Sequence, residues 1–135
     1  MSIEEISHTA DVKFRVRSPT LDGLFSEACI ALMQVMYGKD RKPGIKKELT
    51  LDAPDTGSLI SDFLSEVLFV SEVENLVFAR VEVRIVGQHL TAVLDGEPFD
   101  PSRHNQGTEV KGISYSGMLI EKEAEGYMLE ILFDV

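Results

Sequence analysis

Cysteine is almost missing from this chain. Among 135 residues Cys29 stands alone, so no internal disulfide can form, and a cytoplasmic protein is expected. Long apolar runs are missing too: none reaches the roughly 18 residues that a membrane span needs, and no membrane association is expected. The opening MSIEEIS has neither a basic region nor an apolar stretch, so no signal peptide is expected there. Basic residues are in deficit, with 13 Lys and Arg against 23 Asp and Glu and a formal net charge of -10. Nucleic-acid phosphates are bound by Lys and Arg, so direct nucleic-acid binding is disfavoured; a basic protein partner or a bound cation suits such a surface better. The one basic cluster, KDRKPGIKK at 39–47, holds Pro and Gly and reads as a solvated loop. Also absent are GxxxxGK followed by Ser or Thr, GxGxxG, HExxH, CxxC and GxSxG. One cysteine and three histidines do not make a zinc site.

What is present is ordinary globular patterning. Hydrophobic residues make up 44% of the chain and charged ones 27%, enough to build a core rather than a disordered segment. Val12, Phe14 and Val16 alternate with Lys13, Arg15 and Arg17, which predicts a half-buried strand over 12–17. Thr20 is placed to cap a helix whose apolar residues run from Leu21 to Met36 at helical spacing, with Gly38 closing it. Cys29 falls inside this helix with no basic neighbour, so it reads as a packing residue. A strand is predicted over 45–51 and an amphipathic helix over 59–73, after the capping chemistry of APDTGS. From residue 76 the period changes to two. LVFARVEVRIV, the Gly87-Gln88 turn and HLTAVLDGE predict a hairpin. A long polar loop over 97–108 follows, then strands over 109–122 and 127–135. The order is strand, helix, strand, helix, then four mainly antiparallel strands. That predicts an α+β fold with two helices packed on the sheet. No repeat or internal boundary appears, so residues 1–135 are expected to form one domain.

Three residues stand out chemically. Asp11 sits at the mouth of the first predicted strand. Asp134 sits near the end of the last one, where Leu129, Ile131 and Phe133 alternate against Met128, Glu130, Leu132 and Asp134. Lys111 alternates in phase with Ile113 and Tyr115, on a face that is otherwise apolar. A lysine there needs a carboxylate or a route to water. Two aspartates brought together need a cation or a shared proton. A main-chain oxygen of Val135 would complete an all-oxygen set, which suits a hard cation. Periodicity leaves a plainer reading open, with Asp11 in a turn, Asp134 at a chain end and Lys111 snorkelling.

Four segments, in order, resemble the archease family. HTADV opens a strand and TLDGLFSEACIALMQVMYG follows as a helix. SLISDFLSEVLFV is the second helix, HNQGTEVKGISYSGM carries a histidine and a Glu-Val-Lys strand entry, and ILFDV closes the chain. The resemblance spans nearly the whole sequence. It implies a small cytosolic α+β protein related to strand-helix-strand-strand (SHS2) modules. It implies a non-catalytic activator of an RtcB-type RNA ligase in tRNA splicing, promoting the ligase's guanylylation and multiple turnover. It further implies a divalent cation, calcium first with magnesium or manganese as alternatives, held by Asp11, Asp134 and Val135. Lys111, together with Asp11, is implied in activating the partner. His8 and His104 match family positions and are expected to form turn or rim hydrogen bonds. Two positions depart from the pattern: Gly112 where many members have Ala, and Ser116 near where many bacterial members have His.

Two other function classes stay open on the sequence. A small metal-dependent hydrolase would use the Asp11/Asp134 cation to activate water, although no general base is evident. A chaperone-like modulator of RNA-modifying enzymes, such as a tRNA methyltransferase, would bind several enzymes without needing Lys111.

Overall fold

Helix α1, Leu21–Tyr37, begins where Thr20 Oγ1 accepts the Gly23 N–H at 3.0 Å, and it ends at Gly38, whose φ of 83° suits glycine. Helix α2, Thr56–Glu74, begins where the Asp55 carboxylate accepts the Ser58 N–H at 2.7 Å; Asn75, at φ 57°, ends it in the left-handed region. The structure, a computed structural model, describes residues 1–6, 11–105 and 107–135. Around the helices run β1 (Ser2–Ile6), β2 (Asp11–Ser18), β3 (Ile45–Asp52), β4 (Leu76–Val86), β5 (His89–Pro98), β6 (Gly112–Glu123) and β7 (Gly126–Asp134). A single-turn helix, α3 (Pro101–His104), lies between β5 and β6.

The α+β class agrees with the sequence. The strands, however, divide into two antiparallel sheets rather than one. One has the order β1-β2-β7-β6 and the other β3-β5-β4. Helix α1 packs on β2 and β7 and also against β4, so it lies between the sheets, while α2 packs against β6 and β4. Phe25, Phe63, Phe78 and Phe133 are fully buried among the helices and the inner rows of both sheets. Cys29 is fully buried with them, and burial pushes its thiol up to about 12, so it packs and does not react.

Three local expectations change. Strand β1 was not anticipated, because SIEEI carries no alternation; it forms by pairing with β2, Ile3 against Val16 and Glu4 against Arg15. The loop expected over 97–108 contains the end of β5 and all of α3. The strand expected from 109 begins at Gly112. Within the basic segment 39–47, Arg41 is half-buried. Its guanidinium donates to the carbonyls of Phe78 and Gly38, so this residue ties the loop after α1 to β4 and is not part of a solvated patch.

Candidate functional site

The alternation on β2 and β7 gives sheet β1-β2-β7-β6 an inner row and an outer row. Phe14, Val16, Leu129, Ile131 and Phe133 face the core. Asp11, Lys13, Arg15 and Arg17 share the opposite face, and the antiparallel register sets Asp11 against Asp134, Lys13 against Leu132, Arg15 against Glu130 and Arg17 against Met128. The two aspartates are thus the opposed pair at one end of the central strand pair. On its other side Asp134 pairs with Gly112, the first residue of β6. A Cβ built at Gly112 would lie 3.7 Å from Asp134 Oδ2, so the carboxylate leans along the strand entry of β6.

Lys111 is exposed and stands just before β6. The expected apolar face is therefore corrected: the alternation with Ile113 extends one step beyond where β6 pairing begins. What holds Lys111 in place is its backbone, whose N–H donates to the Asp134 carbonyl at 2.7 Å. Upstream, the Thr108 N–H donates to Val35 O at 2.8 Å and anchors the approach to the end of α1. The structure thus brings Asp11, Asp134 and the backbone of Lys111 together at one end of the sheet. Val135 follows directly and is exposed.

His104 lies elsewhere. It is buried at 1% exposure and not on a rim. Its Nδ1 accepts the Asp100 N–H at 2.9 Å, which places the ring proton on Nε2, and Nε2 donates to Glu97 Oε2 at 3.2 Å. Both ring nitrogens are engaged, so it serves the turn around α3. His8 lies outside the described residues.

Two carboxylates directly opposed across a strand pair form a place where a cation can be shared. Among the described residues no group of three or more His, Cys, Asp or Glu is arranged to hold a metal. The donors available at the Asp11–Asp134 pair are oxygens: two carboxylates and the main chain of Val135, with water to complete the shell. That set fits a hard cation such as calcium, which takes 6–8 oxygen ligands and tolerates irregular geometry. Further along the same outer row, Glu130 is an ion-pair partner that sequence reasoning did not single out, although it is in phase with Asp134. It accepts from Arg15 at 2.6 Å and lies 3.7 Å from Lys13. The Arg15 guanidinium holds its carboxyl below the usual range. The basic residues of β2 are in this way matched along the strand, Arg15 and Lys13 by Glu130 and Arg17 by Glu123.

The Archease protein family (MTH1598/TM1083) matches residues 3–135 of the chain. The protein archease of Methanopyrus kandleri is 35% identical, with the match covering 100% of each chain. The solution structure of Methanobacterium thermoautotrophicum protein 1598 superposes with a TM-score of 0.81 at 22% identity, covering 98% of each chain. The crystal structure of an archease, possible chaperone, from Thermotoga maritima superposes with a TM-score of 0.69 at 17% identity, covering 98% of this chain and 96% of that one. At these identities the two structures speak for the fold.

Proposed function

The chain belongs to the archease family, and from that premise we propose that it is a non-catalytic cytoplasmic activator of an RtcB-type RNA ligase in tRNA splicing. The observation that carries the reading is the junction of Asp11, Asp134 and Lys111 at one end of the central strand pair, made by the β2–β7 register and the Lys111 N–H bond to the Asp134 carbonyl. Asp11, Asp134 and a main-chain oxygen of Val135 are the residues that would hold a divalent cation, calcium first, with magnesium or manganese as alternatives. When bound, the cation would neutralise the opposed carboxylates and tie the two strand ends together. Lys111, exposed and joined through its backbone to Asp134, would meet an acidic or phosphate group on the partner. With a net charge of -10, the chain is suited to meet the ligase protein rather than RNA directly.

The test is guanylylation of a cognate RtcB-type ligase with GTP and a divalent metal, with and without this protein. The wild type is expected to stimulate the reaction. Asp11→Asn, Asp134→Asn and Lys111→Ala, each verified as folded by its melting curve, are expected to leave the ligase at its unassisted rate. Absence of stimulation by wild type would overturn the reading. The Thermotoga maritima protein is named a possible chaperone, which favours a second reading: a chaperone-like modulator of RNA-modifying enzymes. Stimulation that survives Lys111→Ala and extends to an unrelated tRNA methyltransferase would select it.

A further inference from the structure

A second feature lies away from the aspartate pair and does not depend on the reading above. On the inner face of sheet β1-β2-β7-β6 the register places Ile113 against Phe133, Ile120 against Leu129 and Lys122 against Tyr127. Leu129 and Phe133 are fully buried by the helices. Tyr115, in the same stretch of β6, is 55% exposed, because the helix layer has a gap above it. The gap opens where both helices begin, between Leu21 of α1 and Thr56-Gly57 of α2, and forms a cleft of about 530 Å³. That size lies within the range of small-molecule sites, roughly 300–1,000 Å³.

The lining has two parts. The floor and walls are Met118, Ile120 and Leu21 with the rings of Tyr115 and Tyr127. The charged member is Lys122. Among the described residues it enters no ion pair, although the molecule carries an excess of acid and nearby Glu123 is taken by Arg17. Two features of the backbone keep the cleft open. Strand β6 breaks register between Ser114 and Leu119, and such irregularities re-aim side chains beside functional sites. At the mouth, Gly57 carries no side chain: a Cβ there would lie 3.1 Å from the Tyr115 hydroxyl.

We propose that this cleft binds a small amphipathic anion, a planar apolar body between Tyr115 and Tyr127 with its acidic group on Lys122. Tyrosine faces and a methionine accept aromatic rings, and the single cation of the lining selects a single negative charge. The probe is anilinonaphthalene sulfonate, an aromatic monoanion that fluoresces when removed from water, titrated into the full chain. The expected result is one saturable site. Gly57→Leu, which fills the mouth, is expected to abolish it. Lys122→Met, a change on the surface that does not threaten folding, is expected to weaken it about tenfold. Neutral anilinonaphthalene is expected to bind correspondingly less. Phe69→Ser removes an apolar side chain on α2 that is 60% exposed and remote from the cleft lining, and should change nothing. The proposal is overturned if no saturable site is found, if Lys122→Met binds as wild type, or if Phe69→Ser is the variant that loses binding. Self-association that depends on Tyr115, in place of probe binding, would assign the cleft to a second copy and overturn it equally.

Discussion

Gly112 and Gly117 lie on the same strand and tolerate a side chain very differently. Gly117 holds φ 78°, where a side chain is strained, and a Cβ there would lie 2.9 Å from Leu132 Cδ1. It lets the irregular segment of β6 fold close over the outer face of β7. Gly112 is free of that constraint: its Cβ would meet Asp134 Oδ2 at an ordinary 3.7 Å. Gly117→Ala should therefore cost about 1–2 kcal/mol of stability, and Gly112→Ala less than about 0.5 kcal/mol, in urea unfolding followed by circular dichroism. Equal costs would mean that the turn at Gly117 relaxes at no expense. An alanine at position 112 thus fits beside the aspartate without displacing it.

At the scale of elements, α3 is four residues long and cannot stand on its own helix propensity. Its neighbours hold it. Glu97 at the end of β5 receives Arg103 Nη1 at 3.1 Å, the Lys42 N–H at 2.8 Å and His104 Nε2 at 3.2 Å, so one carboxylate joins the loop after α1, β5 and α3. The Arg103 hydrogen bonds lead in holding Glu97 down to about 2, from an ordinary 4.5. A carboxyl lowered in the folded state contributes stability that is fully present above 4.5 and is lost as the pH falls towards 2. Glu97→Gln should lower stability at neutral pH and flatten the acid limb of the stability curve over that window. An unchanged acid limb would show that this bracket contributes nothing to folding. None of this was legible in EPFDPSRHNQGT, because a single turn has no periodicity and its partners lie on other elements. The two long helices were legible for the opposite reason. Thr20 and Gly38 act within their own turns, and an apolar stripe repeats along each helix. The hairpin of β4 and β5 was legible through Gly87-Gln88. Strand β1 was not, since of SIEEI only Ile3 packs against the core.

For the whole molecule, what escaped the sequence is long-range pairing. No local period says that β3 pairs with β5 while β2 pairs with β7, and so the division into two sheets appears only in the structure. The aspartates were conspicuous as residues out of keeping with their strands, but their opposition rests on that same β2–β7 register, which joins residues at nearly opposite ends of the chain. This gives the cation proposal a consequence for global stability. A cation bound across β2 and β7 must be released, or its ligands separated, when the molecule unfolds. Its binding energy therefore adds to folding. At a hundredfold excess over its dissociation constant the gain is about 2.7 kcal/mol, or roughly 10 °C in melting temperature for a domain of this size. Asp134→Asn separates this from a general effect of salt. It removes one proposed ligand and leaves the β2–β7 register in place, so the metal-free protein should melt within about 2 °C of wild type. The rise on adding calcium should disappear. Calorimetric melting of both proteins in chelator, calcium, magnesium and manganese reads the two changes together. If none of the three cations raises the wild-type midpoint, the opposed aspartates do not form a cation site. If all of them raise it in both proteins, the ions act elsewhere on the acidic surface.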